Sequence, residues 1–213
     1  MRLVEALCEL FLPAACASCR EVPASGGGLC AACAAGLPAA AALAVPRAPG
    51  TPPVVVAGAY EGPLAEALNE YKERGRRELA AVLGGLLGRA VAVVAAEVPD
   101  AALVPIPPTR AARRERGFDH VAALCAPIGR PHRCLRAGPR ADSVGLTAAQ
   151  RRHAADASLA VVPGRAAALA ASGRPVILLD DIVTTGATLS AAAAALRRAG
   201  VKVAAAAAVA AVE

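Results

Sequence analysis

Two constellations in this 213-residue chain have the residue types and spacing for chemistry. The first runs from Asp180-Asp181 to Thr184-Thr185-Gly186-Ala187-Thr188. A short apolar run, Val176–Leu179, precedes it, and an alanine-rich helical stretch follows. Read as strand, diacid, small-residue turn and helix start, it makes a site for an anion beside a sugar. N–H groups at the turn and in the first helical turn have no other partner and can hold phosphate oxygens. Carboxylates cannot bind that phosphate, so Asp180 and Asp181 suit sugar hydroxyls or a metal ion. The second constellation is Cys16-x-x-Cys19 and Cys30-x-x-Cys33, separated by ten residues. That spacing is similar to a zinc ribbon or paired zinc knuckles, in which four thiolates close a tetrahedral structural Zn2+ site. Such a metal supplies roughly 10–16 kcal/mol of apparent folding free energy to a segment with almost no core. Cys8, Cys125 and Cys134 have no paired partner and read as packing residues.

The elements that must position these groups follow from periodicity. Strands are expected at Val54–Tyr60, Ala101–Ile106, Leu159–Val162, Val176–Leu179 and within Val201–Val212, with a weak one near His132–Arg136. Helices are expected at 2–12 (Leu3, Leu7, Leu10 and Phe11 on one side), from Gly62-Pro63, over Glu78–Glu97, up to about Ile128, and near Thr147–Ala155. From residue 100 onward strands and helices alternate, which predicts an α/β fold with a mostly parallel sheet flanked by helices. Ligands of such sheets bind at the carboxyl ends of strands. The diacid turn and the proline-rich turn after Ile106 are therefore expected on one edge. The chain divides into a Cys-rich, zinc-ribbon-like head (1–45), a linker with Pro46, Pro49, Pro52 and Pro53 (46–53), and an α/β domain (54–213). Residues 137–148 lack periodicity and read as a mobile loop of functional length.

Hydrophobic residues make up 56% of the chain but aromatics only 2%, so the core must be Ala, Val and Leu, with little area for stacking a base. A net charge of +6 favours anionic partners. The apolar tail Val201–Val212 is interrupted by Lys202 and too short to cross a bilayer, so no membrane span is expected. Glu5 and Glu9 interrupt what would be a signal's apolar region, which predicts a cytoplasmic protein. There, paired cysteines serve metals rather than disulfides. His120, His132 and His153 are scattered and read as surface or structural residues. Lys72, Arg74, Arg76, Arg77 and the Arg110–Arg116 cluster are candidate contacts for single-stranded DNA by a salt-sensitive backbone mode.

The stretch Ile177–Leu189, containing Asp180-Asp181-Ile182-Val183-Thr184-Thr185-Gly186-Ala187-Thr188, resembles the phosphoribosyl pyrophosphate signature of type I phosphoribosyltransferases. The paired CxxC head, Tyr60-Glu61-Gly62-Pro63, Tyr71-Lys72-x-Arg74-Gly75, Val104-Pro105-Ile106-Pro107 and Arg114-x-Arg116-Gly117-Phe118 resemble the ComF family of competence-associated proteins, in order along nearly the whole chain. The resemblance implies a type I phosphoribosyltransferase fold behind a zinc head. It places the 5-phosphate on Thr184, Thr185, Gly186, Ala187 and Thr188. Asp180 and Asp181 would be the catalytic carboxylates, on the ribose hydroxyls directly or through Mg2+. The leaving pyrophosphate would meet Pro105, Ile106 and Pro107, helped by Arg110 and Arg113. The 137–148 loop would close as a lid with Arg140, Ser143, Arg151 and Arg152. The implied reaction displaces pyrophosphate from the anomeric carbon by a nitrogen nucleophile. A helicase-like competence partner and single-stranded DNA are further implied partners, and a dimer is left open.

The chain departs from the family pattern at Asp119-His120, where the family reads Asn-Gln, and at Ser143 and Ala154 in the lid region. Three functions compete: a phosphoribosyltransferase with an unknown nitrogenous acceptor, a non-catalytic ribose-phosphate sensor, and a nucleic-acid-associated assembly factor of the DNA-uptake machinery. Base stacking would fall to Tyr60 and Tyr71.

Overall fold

One five-stranded sheet positions everything else. The computed structural model describes residues 15–25, 27–138 and 159–212. In chain order the strands are β1 (Ala42–Ala44), β2 (Val54–Ala59), β3 (Ala102–Pro105), β4 (Leu135–Ala137), β5 (Leu159–Val161), β6 (Val176–Val183) and β7 (Val203–Ala211). The helices are α1 (Ala31–Ala35), α2 (Gly62–Glu73), α3 (Ala80–Glu97), α4 (Arg110–Arg116), α5 (His120–Leu124), α6 (Pro163–Ala171) and α7 (Ala187–Arg198). The main sheet has the order β1-β2-β7-β6-β3. All its neighbours are parallel except β1, which runs antiparallel to β2 at the edge. This is the expected α/β architecture, with a cysteine cluster at its N-terminal side.

Alternation along β6 explains how the sheet is covered. Val176 and Leu178 pack with Leu189, Ala192 and Leu196 of α7 on one face. Ile177 and Leu179 pack with Leu83, Leu87 and Ala90 of α3 on the other. Each such fully buried leucine contributes about 1.5–3 kcal/mol. β7 is nearly all alanine, a helix former. It stays extended because it lies between β2 and β6 with both faces covered, and burial overrides local preference. The helical stretch Arg77–Glu97 is long and apolar enough by composition to cross a membrane. Here it is a core helix, with α3 packed against β7 and β2.

The structure differs from the sequence expectations in three places. β6 runs on to Val183, because the long β7 continues to pair with it through Asp180↔Ala208 and Val183↔Ala211. The diacid is therefore inside the strand rather than at its end. Residues 42–44, expected within the head, pair with β2. The proline-rich stretch 46–53, expected as a linker, lies against the phosphate turn, as described below. The segment expected as a lid is framed by β4 and β5, which pair antiparallel as a separate two-stranded sheet. Arg140, Ser143, Arg151 and Arg152, the helix near 147–155, and the N-terminal helix with Cys8 lie outside the described residues.

Candidate active site and cysteine cluster

Gly186 caps α7 in a left-handed conformation, φ +81°, which favours glycine. A Cβ there would also meet Pro46 Cβ at 2.6 Å and Thr51 Oγ1 at 3.0 Å. The strap 46–51 lies on the turn: Ala48 N–H donates to Thr185 O (2.8 Å), and Thr51 Oγ1, which donates to Ala48 O (2.7 Å), is also 3.3 Å from Gly186 O. Ser190 Oγ donates to Pro49 O (2.8 Å), fixing the strap to α7. Ala187 N–H is met by Thr185 Oγ1 (3.3 Å), and Thr184, Thr185 and Thr188 are exposed around the N-terminal end of α7, where helix N–H groups favour an anion. That arrangement suits a phosphate.

The next strand brings the second turn alongside. Pro105 is in register with Leu179, and Ile106 N–H donates to Leu179 O (2.8 Å). The proline turn thus leaves the carboxyl end of β3 alongside the diacid segment of β6. A cavity of about 330 Å³ opens there, lined by Pro105, Pro107, Arg113, Arg133, Arg136 and Arg165 among others. Ile106 itself is buried. Arg110 opens α4, whose Thr109 cap accepts Ala112 N–H (3.1 Å). The arginine-rich lining makes the cavity suited to an anion.

The diacid residues face opposite sides of the sheet, as neighbours in a strand must. Both are buried. Burial pushes the Asp180 carboxyl well above the usual carboxylate range, and the charge of Asp181 adds to it. Burial acts the same way on Asp181, but His120 and Lys72 overcome it and hold Asp181 well below that range. Asp181 Oδ1 accepts Ile182 N–H (2.7 Å). Its Oδ2 lies 3.1 Å from Lys72 Nζ and 2.8 Å from His120 Nε2. Both donors therefore converge on one carboxylate oxygen.

Two motifs of the sequence meet over Asp181. Tyr71 Oη donates to His120 O (2.7 Å), and the Tyr71 and Phe118 rings meet edge-on at 5.5 Å. Arg116 donates to Lys72 O (2.9 Å) and pairs with Glu73 (3.0 Å). Asp119 caps α5 by accepting Ala122 N–H (3.0 Å), which sets His120 on the helix's first turn. Tyr71 is therefore core and cannot stack a base, whereas Tyr60 is half-buried with its hydroxyl on Asn69 Oδ1 (2.6 Å). His120, read from sequence as surface or structural, lies in the site. The signal available was Asp119 as an N-cap ahead of the apolar Val121-Ala122-Ala123-Leu124.

The basic residues proposed for DNA have other partners. Lys72 is on Asp181, Arg74 on Glu70, Arg76 on Glu78 and Arg77 over the Phe118 ring. Lys72, Arg76 and Arg77 are held by packing or pairing, whereas Arg74 pairs from an exposed position and Arg114 of the second cluster is exposed.

The four predicted metal ligands do converge. The Cys16, Cys19, Cys30 and Cys33 sulfurs lie within 4.8 Å of one another, with Cys19 and Cys30 at 3.9 Å. A tetrahedral Zn2+ with bonds near 2.3 Å requires sulfurs about 3.8 Å apart, so the residues fit that ion. Cys30 N–H and Ser18 N–H both point at Cys16 Sγ (3.2 and 3.5 Å). Burial raises the Cys16 thiol, but those donors outweigh it and bring it down to about 6. Despite the Ser18 hydroxyl, burial and the neighbouring sulfurs push Cys33 up to about 11. Four thiols this close cannot all ionise without a cation among them. Gly27, at φ +87°, completes the knuckle where a Cβ would strike Val82 at 2.7 Å. Cys125 and Cys134 are buried singly, as expected of packing residues.

No curated protein matches this chain. Residues 140–213, which contain β6, the diacid, the turn Thr184–Thr188 and α7, match the family model described as phosphoribosyl transferase domain.

Proposed function

We propose that the chain binds phosphoribosyl pyrophosphate and transfers its phosphoribosyl group to a nitrogenous acceptor, as a protein of the ComF kind. The observation that carries this reading is the adjacency of two anion sites on neighbouring strand ends. One is the phosphate turn Thr184–Thr188 after β6; the other is the arginine-lined cavity at Pro105–Pro107 after β3. The 5-phosphate takes the first and the diphosphate the second, which sets the ribose beside Asp180. In the reaction the bond from the anomeric carbon to the diphosphate oxygen breaks, the acceptor nitrogen forms the new bond, and that nitrogen gives up its proton. Arg113 and the arginines of the cavity neutralise the charge that gathers on the leaving diphosphate, and the turn N–H groups hold the other end fixed. Asp180, buried beside Asp181, is the carboxyl suited to a ribose hydroxyl or to Mg2+, which when bound would neutralise diphosphate charge.

The test is pyrophosphate release. Incubation with phosphoribosyl pyrophosphate, magnesium and a panel of nitrogenous bases and amines is expected to give acceptor-dependent release. Saturable binding without release across the panel would sink the transfer step and leave the ribose-phosphate sensor.

A second reading, contact with single-stranded DNA during uptake, is favoured by a different surface from the one expected. Arg130, Arg133 and Arg165 line a further open cavity with His132, and none has a carboxylate partner among the described residues. If about four phosphates are met there, affinity falls roughly 50-fold between about 50 and 200 mM salt. Fluorescence anisotropy with an oligonucleotide checks this. Arg133→Ala/Arg165→Ala should flatten the salt slope, and a slope unchanged by that pair would remove this surface from consideration.

A further inference from the structure

We infer that Lys72 and His120 are positioning residues of the ribose side of the site, holding the Asp181 carboxyl in place behind the sugar. The inference rests on the proposed binding of phosphoribosyl pyrophosphate at this site.

The grip is built from two distant segments. Lys72 comes from the end of α2 and His120 from the start of α5, and both reach the same oxygen, Asp181 Oδ2. The third side is closed by Ile182 N–H on Oδ1. Nothing in the fold alone requires this. The other ring nitrogen of the buried His120, Nδ1, has no aligned hydrogen-bond partner among the described residues. The surrounding contacts serve the two arms: Tyr71 Oη holds the His120 carbonyl and Arg116 holds the Lys72 carbonyl. Those residues form the motifs Tyr71-Lys72 and Arg116-Gly117-Phe118-Asp119-His120, so each motif delivers one arm.

A consequence is selectivity between ligands. Inorganic phosphate needs only the turn at Thr184–Thr188, whereas a ligand carrying ribose also needs the diacid held in place. Lys72→Met and His120→Gln are to be titrated calorimetrically with phosphoribosyl pyrophosphate and, separately, with inorganic phosphate. Lys72→Met is expected to weaken the sugar ligand at least about tenfold, the factor that loss of one charge-assisted contact carries. Phosphate affinity should stay within about twofold, because the α7 turn and its donors are untouched. Lys72→Arg, which keeps the charge, should recover most of the loss. His120→Gln keeps an N–H donor with shorter reach and should show a smaller loss of the same selectivity.

Unchanged sugar binding in both variants, beside a wild type that binds it, overturns the inference alone. Parallel loss of both ligands also overturns it, since that marks a merely structural role. A wild type that binds phosphate but not phosphoribosyl pyrophosphate overturns the proposed function, and the inference with it.

Discussion

Removal of metal from the cysteine cluster, or Cys30→Ala, is expected to lower the thermal unfolding midpoint by about 10 °C. The reason is that the head is part of the main core. Cys16, Ala17, Leu29 and Cys30 belong to the same buried cluster as Tyr71, Leu79 and Leu83. Arg20 ties the knuckle to α2 through Glu66 and the buried Glu70 (3.3 and 3.2 Å), and Arg76 donates to Ala15 O (2.8 Å). Loss of the ion leaves four crowded thiols and frees this wall of the core, a cost of about 3–5 kcal/mol. For a chain of this size each kcal/mol moves the midpoint by about 2–4 °C. Calorimetry alongside metal analysis checks it. Reduced protein with less than about half an equivalent of zinc that melts with the zinc-loaded sample would count against a structural metal.

Asp180→Asn is expected to stabilise the protein while damaging its site. At neutral pH the raised Asp180 carboxyl is a burden on the fold, because burial and Asp181 both oppose its charge. The amide removes that burden and should add about 1–2 kcal/mol. Binding of phosphoribosyl pyrophosphate should weaken at least about tenfold, since the carboxyl proposed for the ribose is gone. The pH dependence has a definite sign. A carboxyl whose folded pKa is raised costs stability as pH climbs from its unfolded value, about 3.9, through the folded one. The advantage of Asp180→Asn over wild type should therefore shrink as pH falls toward about 4. Asp181 works the opposite way: its pKa is depressed, so its stabilisation is present above about 3.9 and lost as pH falls further. Equal melting of Asp180→Asn and wild type across this range, with equal ligand affinity, would remove the diacid from the account.

Legibility in the sequence followed the range of the interactions. The phosphate turn, the strands and the CxxC pairs are local patterns, and each could be read within some fifteen residues. Even the alanine strand β7 was legible, because Lys202 and the preceding Gly200 punctuate it and β6–α7 leaves a parallel place to fill. What escaped were contacts made across the fold. Nothing near residue 72 announces that Lys72 will reach Asp181, 109 positions on, or that His120 will meet both. The basic run Lys72–Arg77 read as candidate contacts for DNA because its carboxylate and aromatic partners, Asp181, Glu70, Glu78 and Phe118, include two that are remote in sequence. The strap 46–51 was hidden for a related reason. Prolines say where regular pairing stops, but not what the chain then leans on.

The parity of β6 carries a constraint of its own. Asp180 and Asp181 differ in role only because the pleat sends one to each face of the sheet, and β7 holds that pleat in register through Val183. A single-residue shift of β6 against its neighbours would turn each carboxyl to the other face of the sheet and draw Asp181 away from Lys72 and His120. The spacing between the start of β6 and Gly186 is therefore fixed more tightly than the identity of most side chains around it. Drift among the alanines leaves this site intact, whereas a change in count moves the diacid off its partners.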